Sequence, residues 1–140
     1  MIFPCKDYPV GADADWCPFL NVRIANPKKH SPPSRRFEAL IDSGASRCIF
    51  HAQIGESVGF DVRKGVEEST IGVSGLQARL YVHEIALYTV SGIIKIKAGF
   101  SYDLPVAGLL GRRGFLSEFK FTLDPSTNPP QFELERYARA

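Results

Sequence analysis

Charge of one sign is scarce in this chain. Its 17 basic and 15 acidic residues leave a formal net charge of +2 over 140 residues, too small a surplus to draw a polyanion. Nor are the cations grouped. Lys28-Lys29, Arg35-Arg36 and Arg112-Arg113 stand as separate pairs that read as solvated turns, so no nucleic-acid partner is expected. Long hydrophobic runs are missing too: none approaches the roughly 20 residues of a membrane helix, and no membrane partner is expected. The opening segment MIFPCKDYPVGADAD lacks the basic-then-apolar order of an export signal. Cysteine is sparse and odd in number, Cys5, Cys17 and Cys48, without metal-type pairing. Together these absences lead us to expect reduced thiols in a cytoplasmic protein. Cys48 and His51 make a C-x-x-H spacing, but nothing nearby supplies further ligands, and Cys48 lies in the apolar run CIF, where a thiol packs as a small core residue. His30 and His83 stand alone and read as surface residues. Neither a metal site nor a cofactor is expected.

What is there is alternation. At 44% apolar and 23% charged residues, the chain has ordinary globular composition, and its length suits one domain with a real core. Leu20, Val22 and Ile24 alternate with Asn21 and Arg23. Period two recurs at Ile94-Ile96-Ala98 against Lys95-Lys97, at Phe119-Phe121-Leu123 against Lys120-Thr122, and at Phe132-Leu134 against Glu133-Glu135. Such runs predict half-buried strands. Turn signals separate them: NPKKHSPPS at 26–34, GVSG at 72–75 and DPSTNPP at 124–130. The first and last predict hairpins pairing 18–25 with 35–41 and 119–124 with 131–136. Helix signals are few. One short helix is expected over 52–58, stopped by Gly59, and a second over RRGFLSEF at 112–119, weakened by Gly114. The expected fold class is mainly β, largely antiparallel, barrel-like or sandwich-like, with one or two short helices.

Three short motifs carry chemistry. In the first, the apolar Ala39-Leu40-Ile41 runs into Asp42-Ser43-Gly44-Ala45. A carboxylate at the end of a buried strand is partly desolvated, and turn amides can hydrogen-bond it; equally, Asp-Ser-Gly is an ordinary turn. The second is Ile71-Gly72-Val73-Ser74-Gly75, whose glycines suit either a plain hairpin tip or a mobile one lying close over a ligand. The third, Gly108-Leu109-Leu110-Gly111-Arg112, suits a strand passing tightly beside a neighbouring loop or a simple strand-to-helix junction.

Taken together and in this order, LIDSGA at 40–45, IGVSG at 71–75 and LLGR at 109–112 resemble the retropepsin-like aspartic proteases, the single-lobe family that includes the retroviral enzymes. The resemblance spans roughly residues 18 to 136 and is closest in look to small free-standing prokaryotic members. It implies a closed acid-protease barrel and an aspartic endopeptidase without cofactor. Residues 1–17 become an N-terminal extension and 18–140 the domain. Asp42, with Ser43 and Gly44, would be catalytic; Ala45, Ile71, Gly72, Val73, Ser74 and Gly75 would bind substrate; Leu110, Gly111 and Arg112 would support the catalytic loop. Apolar pockets would lie near Ile71, Val73 and Leu110. The chemistry of this family takes two carboxylates sharing one proton. One Asp-Ser-Gly per short chain therefore implies a homodimer with the site on its two-fold axis, acting on an extended peptide or unfolded protein of about six to eight bound residues. A different-class alternative is a non-catalytic dimeric module that holds peptide in the same groove.

Two departures stand out. Retroviral members place an acidic residue just after the alanine, where it pairs with the arginine of the Gly-Arg segment. Here Ser46 and Arg47 follow, so Arg112 needs another partner. The extension also carries Phe3, Tyr8 and Trp16, which would pack across a dimer or cover the groove.

Overall fold

The computed structural model describes residues 1–9, 11–71 and 77–138. Its strands are β1 (Ile2–Pro4), β2 (Lys6–Asp7), β3 (Trp16–Cys17), β4 (Phe19–Ala25), β5 (Phe37–Ile41), β6 (Ile49–His51), β7 (Val66–Ile71), β8 (Gln77–Thr89), β9 (Gly92–Ser101), β10 (Gly108–Leu110), β11 (Phe119–Asp124) and β12 (Gln131–Arg136). One short helix, α1 (Ala52–Ser57), follows β6, and a single 3-10 turn covers Val62–Lys64.

Both expected hairpins form. β4 pairs antiparallel with β5 from Phe19↔Leu40 to Val22↔Phe37, and β11 pairs with β12 from Phe119↔Arg136 to Asp124↔Gln131. The period-two pattern sets the faces. Leu20, Val22 and Ile24 are buried while Asn21 and Arg23 face water, so one strand has a core side and a wet side.

Strands β4, β5, β10, β6, β9 and β8 follow one another in hydrogen-bonded order, and β8 returns to β4, which closes a six-stranded barrel. Two of its pairings are parallel, β5 with β10 and β6 with β9. Closure removes the exposed edges that an open sheet of this size would present. β8 is the longest strand, and one of its edges serves two partners. Near its C-terminal end Ala86–Tyr88 pair with β4, and near its N-terminal end residues 77–82 pair with β7. Residues 77–80 have β7 as their only strand partner, so β7 and the start of β8 form a two-stranded arm standing off the barrel.

The second sheet, β1-β12-β11, lies against the same core. Phe50, Phe100, Phe115, Phe119 and Phe132 are buried among Ile24, Ile85, Leu87, Leu110 and Leu134 in one continuous cluster. Phe3 stacks on Phe132 of its own chain, ring centroids 5.2 Å apart, and Tyr8 leans on Phe19 at 5.7 Å. Lys6 on β2 meets Glu38 on β5, a further tie between the first residues and the barrel.

Helix α1 begins where expected. The His51 Nδ1 accepts the Gln53 N–H at 3.1 Å as an N-cap, and Gly59 follows the helix at φ +88°. The second expected helix does not form. Gly114 sits at φ +98°, a conformation a right-handed helix cannot contain, and the chain closes instead through turns. The Leu116 N–H donates to Gly111 O at 3.0 Å and the Ser117 N–H to Arg112 O at 2.9 Å. Those turns bury Phe115. Among the described residues, no helix is long and apolar enough to cross a membrane.

Candidate active site

β5 carries Ala39 and Ile41 into the core and delivers Asp42 to a turn at the rim of the barrel. The Asp42 side chain is half-buried, and its Oδ1 accepts the Gly44 N–H at 2.9 Å. The Asp42 carbonyl accepts the Ala45 N–H at 3.1 Å. Asp42 is thus held by its own turn, with one carboxylate oxygen engaged by a main-chain donor. Ser43 and Gly44 are exposed and Ala45 is half-buried.

The segment Leu110–Arg113 crosses directly behind this turn. The Asp42 N–H donates to Leu110 O at 3.0 Å, the Arg112 N–H to Ala45 O at 2.9 Å and the Arg113 N–H to Ser46 O at 3.0 Å. At the crossing point a Cβ on Gly111 would lie 2.4 Å from Arg47 O and 2.7 Å from Ala45 O. Both are main-chain atoms that cannot move aside, so only glycine fits. The structure therefore brings together Asp42, Ser43, Gly44, Ala45, Leu110, Gly111 and Arg112, the first and third motifs of the sequence.

Arg112 finds its replacement partner here. Its Nη1 donates to Ser43 O at 2.6 Å, so its guanidinium grips the turn's backbone where the resemblance would have had it grip a carboxylate. The neighbouring Arg113 does the same through Nε to Ser46 O at 3.2 Å. Sequence reasoning did not assign Arg113 to the site, although it sits beside the Gly-Arg pair.

Leu110 is fully buried among core side chains, and its carbonyl holds Asp42. β10 alternates, so the residue that leaves the core is Leu109, which is half-buried. Gly72, Val73, Ser74 and Gly75 lie outside the described residues, as does the side chain of Ile71. The strands flanking them pair in register up to Ile71↔Gln77.

Arg47, two residues past Ala45, is the unforeseen member. It is only 8% exposed, and its Nη2 reaches Glu68 Oε1 on β7 at 3.0 Å while Nη1 faces Lys97 O at 3.4 Å. The departure after the alanine was visible in the sequence, but nothing marked Glu68 as its partner.

The Cys48–His51 spacing holds no chemistry. Cys48 is fully buried, and burial pushes its thiol up to about 11 against the opposing pull of the Gly111 amide and the Arg47 guanidinium. A thiol so raised is not a nucleophile, and His51 is occupied in capping α1. His83, expected at the surface, is half-buried between Phe60 and Phe100, with Nε2 2.8 Å from Val62 O. Among the described residues no group of three or more His, Cys, Asp or Glu is placed to hold a metal ion.

No protein-family profile and no curated protein sequence matches this chain. Solved structures do. A retropepsin-like aspartic protease from Rickettsia conorii superposes with a TM-score of 0.67 at 18% identity, over 95% of this chain and 97% of that one. The EIAV protease, solved with an inhibitor, superposes with a TM-score of 0.52, also at 18% identity, over 74% of this chain and 88% of its own. The barrel, the turn bearing Asp42 and the strand crossing at Gly111 therefore stand within a retropepsin-like fold.

Proposed function

We propose that the chain is an aspartic endopeptidase whose active unit is a homodimer. The observation that carries this reading is Asp42. Its carboxylate is presented at the barrel rim by a turn that is hydrogen-bonded on itself and braced from behind by Leu110, Arg112 and Arg113. Such bracing fixes a reacting group to the tolerance catalysis demands. A likeness of fold to solved aspartic proteases supports the same reading.

A lone carboxylate cannot perform the reaction, and the chain offers one such turn. The second group is Asp42 of another copy, placed across a two-fold axis. Two carboxylates at close range share one proton, because both cannot ionise together. The ionised one takes a proton from water as that water's oxygen attacks the peptide carbonyl carbon. The protonated one gives its proton to the carbonyl oxygen, and the resulting tetrahedral diol collapses as the amide nitrogen is protonated and the C–N bond breaks. Ser43 braces the partner's turn, Gly44 and Ala45 offer main-chain groups to an extended substrate, and the segment Ile71 to Gly75, which joins β7 to β8 in sequence, closes over it.

Incubation with a diverse peptide pool between about pH 4 and 7, where a shared-proton pair operates, tests the proposal by mass spectrometry. Wild type is expected to cut and Asp42→Asn to leave the pool intact. Equal cutting by both overturns the role of Asp42. Silence from both, with the dimer present, transfers the groove to a peptide-binding module without hydrolysis.

A further inference from the structure

The arm formed by β7 and the start of β8 is fastened to the barrel on the β8 side, where Leu80 is buried against Gly99 of β9. Among the described residues β7 is an edge strand whose only strand partner is β8, and Val66, Glu67 and Ser69 on it are exposed. A two-stranded ribbon in water is marginal by itself. Glu68 is the exception along this strand, because its carboxylate is bound to Arg47 on the segment that leaves the catalytic turn.

The pair is asymmetric in a way that matters. The Arg47 side chain is 10% exposed and that of Glu68 is 41% exposed. A guanidinium that deep needs acceptors, and besides Glu68 it has the Lys97 carbonyl at the long distance of 3.4 Å. Arg47 is thus a fixed post, anchored within the barrel wall by its bridge to Arg113, and Glu68 is the hook on the arm. The opposite ion pair of the same arm, Glu67 with Arg79 at 2.6 Å, joins β7 to its own partner strand and reaches nothing on the barrel.

We infer that Arg47 and Glu68 form a latch that positions the arm against the catalytic turn, making them positioning residues for substrate capture. The inference rests on the proposed protease reading for its functional consequence but not for its mechanics. A latch closed before substrate arrives preorganises the binding cleft, so opening it weakens substrate and transition state alike. That signature is a raised KM with kcat unchanged. Damage to the turn that holds Asp42 would instead lower kcat.

Glu68→Gln keeps the shape of the hook and an acceptor oxygen for Arg47 while removing the charge, whereas Arg47→Ala empties a buried position in the barrel wall and is the poorer probe. Two readouts on the full chain decide the matter. Hydrogen exchange over residues 66–71 is expected to accelerate several-fold in Glu68→Gln, and KM for a cleaved peptide to rise about five-fold, as a partly buried ion pair warrants. Glu67→Gln serves as control and is expected to change neither. Unaltered exchange in Glu68→Gln, or an equal change in Glu67→Gln, overturns the latch. A wild-type protein that cuts nothing overturns the protease reading instead, while faster exchange confined to Glu68→Gln still upholds the latch. Accelerated exchange with KM unmoved overturns its part in substrate capture.

Discussion

Single residues in this protein are constrained more by main-chain neighbours than by side-chain partners. Gly111 is the sharpest case, and Cys48 shows the other side of the same crowding. Buried to exclusion of water beside the Gly111 crossing, Cys48 holds its proton up to about 11 against an ordinary value of 9.0. The unfolded chain releases that proton first as pH rises, so it binds fewer protons than the native state between the two values and stability falls there. The contribution is whole below about pH 9 and gone above about pH 11, at most about 2 to 3 kcal/mol. Urea unfolding at pH 8 and pH 10.5, compared between wild type and Cys48→Ala, is expected to show the alkaline loss shrink in the variant. The buried, inert thiol was legible in the sequence from the apolar run CIF. The place of His83 was not, because a lone histidine within a strand gives no sign of the two phenyl rings that enclose it.

Elements divide by how local their causes are. The hairpins of β4 with β5 and β11 with β12 follow from alternation and turn residues within a few positions, and both appear in the expected register range. The segment at 112–119 failed as a helix because the positive φ of Gly114 and the burial of Phe115 are set by the strand crossing. The same crossing makes the pairing of β5 with β10 vulnerable. Gly111→Ala would drive a methyl into the carbonyls of Arg47 and Ala45, which is expected to cost about 3 kcal/mol and to displace the turn bearing Asp42. Thermal unfolding and peptide cleavage together check this, and a variant of wild-type stability and activity would refute the tight crossing. The candidate site was half legible for the same reason. Asp42 and Gly111 announce themselves by residue type, whereas Arg113 and Glu68 act through contacts that no local spacing encodes.

For the whole molecule, the decisive quantity is association. One Asp42 per chain makes the proposed activity a property of pairs, so cleavage per milligram should fall on dilution, tending to second order in protein below the dimer's dissociation constant. Sedimentation at the same concentrations is expected to show the dimer vanish in step. A dilute monomer with undiminished specific activity would exclude the shared dyad. A mainly β class, barrel-like or sandwich-like, was readable from periodicity and the closed barrel from the resemblance, but the closure of β8 onto β4 and the double use of its edge were not, since they depend on strand length and twist in three dimensions. The bonds that knot Asp42, Ala45 and Ser46 to Leu110, Arg112 and Arg113 use atoms that every residue except proline possesses. An architecture written in peptide groups leaves almost no spelling behind, apart from a glycine and an aspartate. Chains that share fewer than one residue in five can therefore still share this fold, because the shape is held by atoms that the side-chain alphabet does not alter.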